Sequence, residues 1–359
     1  METQAEHAAA AFAAYECCAL ADLASGGASV QPDVHALLPE LAERIKAQHA
    51  AVSTNASFLA GMLDALNIRA EGVEDDQPGG AAVAGDDGSK TDAEAAGAHA
   101  HVRGVLMQLR REWSDDGAAE RRQSFEPMLD ALDAALSDAM EGDAAGGKGP
   151  PRVLVPGAGL GRLVYEASAR GYYALGVESS FFMLLPAHYV LRTLLVERRS
   201  VAIHPFAHDV ANRRNARDLS RTVSLPDASL LSAESLPTPP PMVAAEFGSV
   251  ASEPRHAGRW DALLSCFFVD AYPDVTQAVA HVRSVLRPGG VWVNHGPLLY
   301  HGARDGAGPR LSADELLLLL QRCGFELVES DFRRCAYCSD ELSMCRTEYE
   351  CLWFVARKS

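Results

Sequence analysis

Apolar residues recur at helical spacing over the first 140 positions or so, then give way to short apolar runs alternating with helical stretches. Glu6 to Leu23 is rich in alanine, the strongest helix former, and ends at Gly26-Gly27. After Pro32-Asp33, a plausible helix start, Val34 to Leu66 carries Leu37, Leu38, Leu41, Ile45, Phe58, Leu59, Met62, Leu63 and Leu66 on one helical period. Residues 71–98 break the pattern: eight acidic residues, one Lys, repeated Gly and no aromatic cannot form a buried face, so a disordered acidic loop is expected there. Helical pattern resumes at Ala98 and runs to Trp113. A further helix, Phe125 to Met140, leads to Gly146-Gly147-Lys148-Gly149-Pro150-Pro151. That Gly/Pro segment predicts a boundary between an N-terminal helical region, 1–145, and a second domain, 150–359.

From Arg152 onward the period switches repeatedly. Strands are predicted at Arg152–Pro156, Tyr173–Glu178, Ala262–Phe268, Gly290–Asn294, Phe325–Ser330 and Glu350–Ala356. Helices are predicted at Leu160–Arg170, Ser180–Glu197, Pro273–Leu286 and Ser312–Cys323, the last with Ser312 as N-cap and Glu315 three residues on. This alternation implies an α/β fold: a doubly wound, mostly parallel sheet with helices on both faces. The final two strands have no helix between them and read as an antiparallel hairpin at one edge. Between about 199 and 260 the pattern fails, and the proline run Pro237 to Pro241 suggests an inserted loop region over the sheet.

Composition excludes more than it identifies. Acidic residues outnumber basic ones 48 to 32, a net charge of -16 in 359 residues. Such a chain lacks the basic face that phosphate binding needs, so nucleic acid is not expected as a direct partner, and neither is an anionic membrane. No apolar run approaches the roughly 20 residues that span a bilayer. Met1-Glu2-Thr3-Gln4 lacks the basic start of a secretory or mitochondrial signal. The eight cysteines are scattered, with Cys17-Cys18 adjacent, which suits free thiols in the cytoplasm or nucleus.

Chemistry enters at Val155-Pro156-Gly157-Ala158-Gly159-Leu160-Gly161-Arg162, which follows a strand and opens a helix. Glycines there let the backbone turn tightly and let a ligand approach without interference from a Cβ. Glu178 ends the next strand, where a carboxylate can accept both hydroxyls of a ribose. The dinucleotide fingerprint G-x-G-x-x-G would need its third glycine at Arg162. The pattern here, G-x-G-x-G, fits S-adenosylmethionine better, because that cofactor brings no pyrophosphate. A nicotinamide-dependent oxidoreductase is thereby disfavoured.

These motifs resemble the carnosine N-methyltransferase family, S-adenosylmethionine-dependent enzymes that methylate an imidazole. The matching segments are LVPGAGLGRLVYEASARGYYALGVESSFFMLL, SCFFVDA, LRPGGVWVNHGPLLYH and LSMCRTEYECLWFVARK, with LRREWSDDGAAER upstream. The resemblance implies a class I methyltransferase-like sheet domain. It also implies roles residue by residue. Gln108 and Arg111 match cofactor-contacting positions of the helical part. Gly157, Gly159 and Glu178 match the glycine loop and ribose acid. Ala245-Glu246-Phe247 looks like the family's Gly-Asp-Phe segment beside the adenine, its acid longer by one methylene. Cys266 matches a strand end facing the cofactor. Asp270, His301 and Tyr349 match the imidazole-binding residues, and the implied product is methylated on Nπ, the ring nitrogen nearer the side chain.

A plainer reading stands beside each. Asp270 follows the strand ending at Phe268 and suits an N-cap for the helix near Pro273. His301 is a lone histidine, Tyr349 suits packing on the sheet, and Arg111 suits a surface charge. Cys335-Ala336-Tyr337-Cys338 has metal-ligand spacing but no second such pair, and His204 and His208 are separated by Pro205, so no metal is expected. The expected partner is a small-molecule or peptide imidazole. A histidine within a protein, another small amine and a non-catalytic scaffold remain open. The helical region suits either a cover over the cofactor or a homodimer face.

Overall fold

The computed structural model describes residues 2–28, 37–68, 88–144, 149–232, 236–301 and 308–359. Nine strands lie among them: β1 Arg152–Pro156, β2 Tyr173–Glu178, β3 Val201–Ile203, β4 Val223–Leu225, β5 Met242–Ala244, β6 Trp260–Cys266, β7 Leu286–Gly296, β8 Phe325–Ala336 and β9 Glu348–Lys358. The chain forms two compact units, each discontinuous in sequence. One comprises Met1–Gly117, Phe181–Glu234 and Asp340–Arg346, the other Ala118–Ser180, Ser235–Ser339 and Thr347–Ser359.

The second unit holds a seven-stranded sheet in the order β5-β2-β1-β6-β7-β9-β8. The first five of these run parallel, whereas β9 is antiparallel to both β7 and β8. This is the class I methyltransferase-like arrangement with its edge hairpin. The central strands are buried on both faces, which is why they read as continuous apolar runs. In β1, Val153 and Val155 face one core and Leu154 the other. The first face is covered by Phe125, Met128, Leu129, Leu132 and Leu136 of the helix Ala118–Ala144. The opposite face packs against Val275, Val279 and Val282 of the helix Val275–Val285 and against Leu316 and Leu320 of the helix Ala313–Arg322. That last helix has the expected capping box between Ser312 and Glu315.

The first unit is helical, with a two-stranded antiparallel ribbon of β3 and β4. Buried Tyr15 ties it together: its hydroxyl contacts His208 Nε2 at 2.6 Å and accepts from Asn55 Nδ2 at 2.9 Å. Burial pushes the Tyr15 phenol up to about 12 and the His208 imidazole down to about 3, so both are neutral near pH 7. Elsewhere in the unit, Arg213 and Arg221 lie over the Phe206 ring at 4.8 and 4.3 Å, and both pair with Asp340.

Several expectations change. The helix ending at Trp113 begins at Gly88, so the end of the expected disordered loop is helical; residues 71–87 of that loop lie outside the described residues, as do Pro32-Asp33 and Gly146-Gly147-Lys148. No single boundary at 146–151 divides the units, because the helix Ala118–Ala144 completes the core on one face of the sheet. Residues 199–260 are not one loop insertion. Their first part makes the β3–β4 ribbon of the helical unit, and β5 is an edge strand of the main sheet. The helical stretch Phe181–Glu197, with a π-helical turn at Val190–Leu194, also belongs to the helical unit.

Candidate active site

In an open parallel sheet, ligands bind beyond the carboxyl ends of the strands, where the order reverses. Here β1 lies between β2 and β6, so the loops after β1, β2, β5, β6 and β7 all open at that end. These loops carry most of the residues the sequence singled out.

After β1, Gly157, Gly159 and Gly161 have φ of 61, 55 and 82°, a left-handed region open to glycine at little cost. At Gly157 a Cβ would lie 2.5 Å from the Phe268 ring, so this glycine is required by a close approach as well as by its backbone angle. After β2, Glu178 accepts from Gly159 N–H through Oε2 at 2.8 Å. Its other oxygen accepts from Ser179 and Ser180 at 2.9 and 2.8 Å. Burial raises the Glu178 carboxyl above the ordinary Glu range, opposed by those three N–H groups. A carboxylate has about four lone-pair sites and three are taken here, so about one remains for a ribose hydroxyl. After β5, Glu246 is exposed and precedes the short helix Phe247–Ala251. Phe247 is buried and meets Phe268 edge-on at 5.7 Å. The glycine cradle, the ribose-type acid and the aromatic wall together fit an adenosine-bearing cofactor.

After β6 comes Asp270, another residue the sequence singled out. Asp270 is not a helix cap: that work falls to Asp274, whose Oδ1 accepts from Thr276 and Gln277 N–H at 2.8 and 3.4 Å. Asp270 instead accepts from Leu299 N–H at 2.9 Å through Oδ2. Its side chain is 1% exposed; Oδ1 has no donor in good hydrogen-bond geometry, although the backbone N–H groups of Asp270 and Ala271 lie close enough to favour the charged form. Burial raises its pKa above the ordinary Asp value, partly countered by the Leu299 N–H, by His301 and by the backbone N–H groups of Asp270 and Ala271. His301 Nδ1 stands 3.8 Å from Asp270 Oδ2, with a side chain 63% exposed at the rim. The backbone around the site is strained: Phe267 and Tyr300, both bulky, sit at φ 52°. Gly296 accommodates the first of these, since a Cβ there would meet Phe267 N and Cα at 3.1 Å. Tyr300 donates to Leu311 O at 2.6 Å, which anchors the loop that presents Leu299 and His301.

Tyr349 lies on β9 opposite Cys335 of β8. Its ring is 6.0 Å from Phe267 and 6.4 Å from Tyr337, and those two rings are 4.6 Å apart. This aromatic cluster reaches back to β6, where half-buried Cys266 precedes Phe267. Sequence reasoning missed Phe267, Phe268 and Tyr337. The Phe267-Phe268 doublet at a strand's end was the available signal, but a doublet looks the same in a core strand. Gln108 and Arg111 belong to the helical unit. Gln108 is half-buried, and Arg111 is buried, 3.6 Å from Glu112, rather than a surface charge.

Comparison with known proteins agrees in kind. Residues 89–359 match the family model described as carnosine N-methyltransferase. A carnosine N-methyltransferase of Dictyostelium discoideum is 35% identical over 258 residues, covering 71% of this chain and 54% of that protein. One from Mus musculus is 33% identical over 262 residues, covering 72% of this chain and 62% of that protein. The chain thus spans somewhat over half the length of these relatives. Among solved structures, the 1,6-didemethyltoxoflavin-N1-methyltransferase of Burkholderia thailandensis is 17% identical, covers 79% of this chain and 94% of that one, and has a TM-score of 0.39. With its family model matched over the sheet unit and part of the helical one, this chain belongs to the carnosine N-methyltransferase family.

Proposed function

We propose that this protein is an S-adenosylmethionine-dependent N-methyltransferase that methylates the imidazole Nπ of carnosine or a related histidine-containing peptide. The observation that carries the reading is the buried Asp270 carboxylate beyond the end of β6, held through Oδ2 by Leu299 N–H and with Oδ1 lacking a donor in good hydrogen-bond geometry. An unmet buried acceptor costs about 1–3 kcal/mol, and an N–H arriving from a ligand recovers that cost. Family membership supports imidazole as the ring bearing that N–H.

Gly157, Gly159, Glu178 and Phe247 are the residues we assign to the cofactor in the sheet unit, with Gln108, Arg111, Glu246 and Cys266 as the further family positions. S-adenosylmethionine, when bound, supplies an electrophilic methyl group. The protein's task is to present a neutral ring nitrogen to it. Imidazole has an unperturbed pKa of about 6.5, so near neutral pH most of it is unprotonated and no strong base is needed. Asp270 accepts the N–H of the non-reacting nitrogen. This fixes the tautomer, leaves the other lone pair free, and stabilises the positive charge that develops on the ring, as an aspartate does for a catalytic histidine. Leu299 N–H holds the carboxylate in place. His301 and Tyr349 hold the ring or the rest of the substrate, and the Phe267–Tyr337–Tyr349 cluster excludes water. Holding the reactants together in this way can contribute as much as about 7–11 kcal/mol. We also propose a cytoplasmic or nuclear location, since exposed Cys17 and Cys345 are free thiols that suit a reducing compartment.

The test is methyl-labelled cofactor with carnosine, with β-alanyl-alanine in which no imidazole is present, and with a histidine-containing peptide. Label is expected in carnosine and not in β-alanyl-alanine. Label in the longer peptide alone moves the substrate to protein histidine; label in none contradicts the proposal.

A further inference from the structure

Beneath the aromatic cluster, three adjacent strands bring together side chains the proposed reaction does not use. His295 of β7, Cys335 of β8 and Cys351 of β9 are each 0% exposed. One ligand atom from each, an imidazole nitrogen and two sulfurs, lies within 4.8 Å of the others. Register explains the convergence. His295 pairs with Trp353, two residues from Cys351, and Cys335 pairs with Tyr349, two residues from Cys351 on the other side. Side chains alternate across a strand, so all three fall on one face of the sheet. The C-x-x-C spacing visible in the sequence pairs Cys335 with the wrong partner; the partner is Cys351, brought alongside by the hairpin.

We propose that His295, Cys335 and Cys351 form a zinc site that clamps the β8–β9 hairpin to β7. Two thiolates and an imidazole are a donor set suited to zinc, with Zn–S near 2.3 Å and Zn–N near 2.0–2.1 Å, which places tetrahedral ligands about 3.5 Å apart. Loading with zinc would therefore draw the three ligand atoms closer together than the 4.8 Å that bounds them here. Binding breaks two S–H bonds, forms two Zn–S bonds and releases two protons, while the imidazole binds as its neutral form. Three protein ligands leave the fourth position to a water molecule. The clamp holds Tyr349 in register, because Tyr349 is the direct cross-strand neighbour of Cys335. Complete burial means that the ion enters as the hairpin closes, so loading occurs during folding rather than by soaking.

The experiment is to produce the full chain in zinc-supplemented medium, desalt it through a chelator, and measure zinc per chain by mass spectrometry of the elements. About one equivalent is expected, falling below about a tenth in Cys351→Ser and in Cys335→Ser. A second measurement guards against variants that fail to fold: the wild-type chain produced with cobalt should show thiolate-to-cobalt charge-transfer absorption. Folded wild-type protein with less than about a tenth of an equivalent of zinc and no such absorption overturns the proposal. So does a Cys335–Cys351 disulfide, seen as a chain two hydrogens lighter and free of metal, or folded variants that keep the full zinc content.

Discussion

In the proposed reaction Asp270 concentrates the chemistry in one side chain. Its carboxyl is buried, so its pKa is raised by desolvation; the Leu299 N–H and His301 pull the other way and do not fully offset it. The consequence for stability has a definite sign. The folded state binds this proton more tightly than the unfolded chain, so the residue favours the fold most below the ordinary Asp pKa and loses that contribution as pH rises through its raised value. Near neutrality the ionised group is therefore a stability cost retained for function. Asp270→Asn should lower turnover by about 10²-fold or more, a loss typical of removing a preorganised group that stabilises charge developing in the transition state. It should also melt no lower than the parent, because an amide keeps an acceptor for Leu299 N–H and removes the buried charge. Steady-state kinetics beside differential scanning fluorimetry checks both; near-normal turnover removes Asp270 from the mechanism. By the same ionisation, activity should be lost as pH falls through the raised Asp270 pKa, on an acid limb shared with protonation of the substrate imidazole near about 6.5.

At the scale of elements, the glycine loop and the strand ends do the positioning. Gly157 has φ 61° and its missing Cβ leaves room for Phe268, which packs on Phe247. Gly157→Ala meets both obstacles: an L side chain in the left-handed region costs about 1–2 kcal/mol, and a contact of 2.5 Å forces the ring aside. The expected result is a lower melting temperature together with at least about tenfold weaker binding of S-adenosylhomocysteine by calorimetry; unchanged affinity would contradict the loop's role. Such elements were legible in the sequence because their signals are local. The strand before the loop, the acid ending the next strand and the Ser312 capping box each need only a few consecutive residues. The Asp270 and Asp274 pair was not separable that way, because both precede the same helix and only the fold shows that Asp274 caps it. Strand β5 was missed because three residues after a proline run show no alternation to read. The hairpin's register, which sets Tyr349 against Cys335, joins residues far apart in sequence and leaves no periodic trace.

The whole molecule is built from two units threaded through each other in sequence. The Gly/Pro segment near 146–151 looks like a domain boundary because composition marks flexible chain, whereas a boundary is decided by which core a helix completes. Phe125, Met128, Leu129, Leu132 and Leu136 are buried against the sheet from before that segment. At about 1.5–3 kcal/mol for each buried side chain, the five contribute roughly 7–15 kcal/mol, as much as the net stability of a typical domain. A chain starting at residue 150 should therefore be aggregated or lack a cooperative melt, while the full chain gives one or more cooperative transitions by circular dichroism. A well-folded 150–359 fragment would show that the helix Ala118–Ala144 is dispensable.

The account rests on an imidazole seated against Asp270 with one chosen nitrogen left to react. Heteronuclear NMR of the product made from carnosine and ¹³C-methyl cofactor reads that choice directly. The labelled methyl should correlate with Nπ, the ring nitrogen next to the side-chain attachment, and with no other site. A methyl on the distal ring nitrogen or on the amine, or no methylated product from folded enzyme that binds the cofactor, would contradict it.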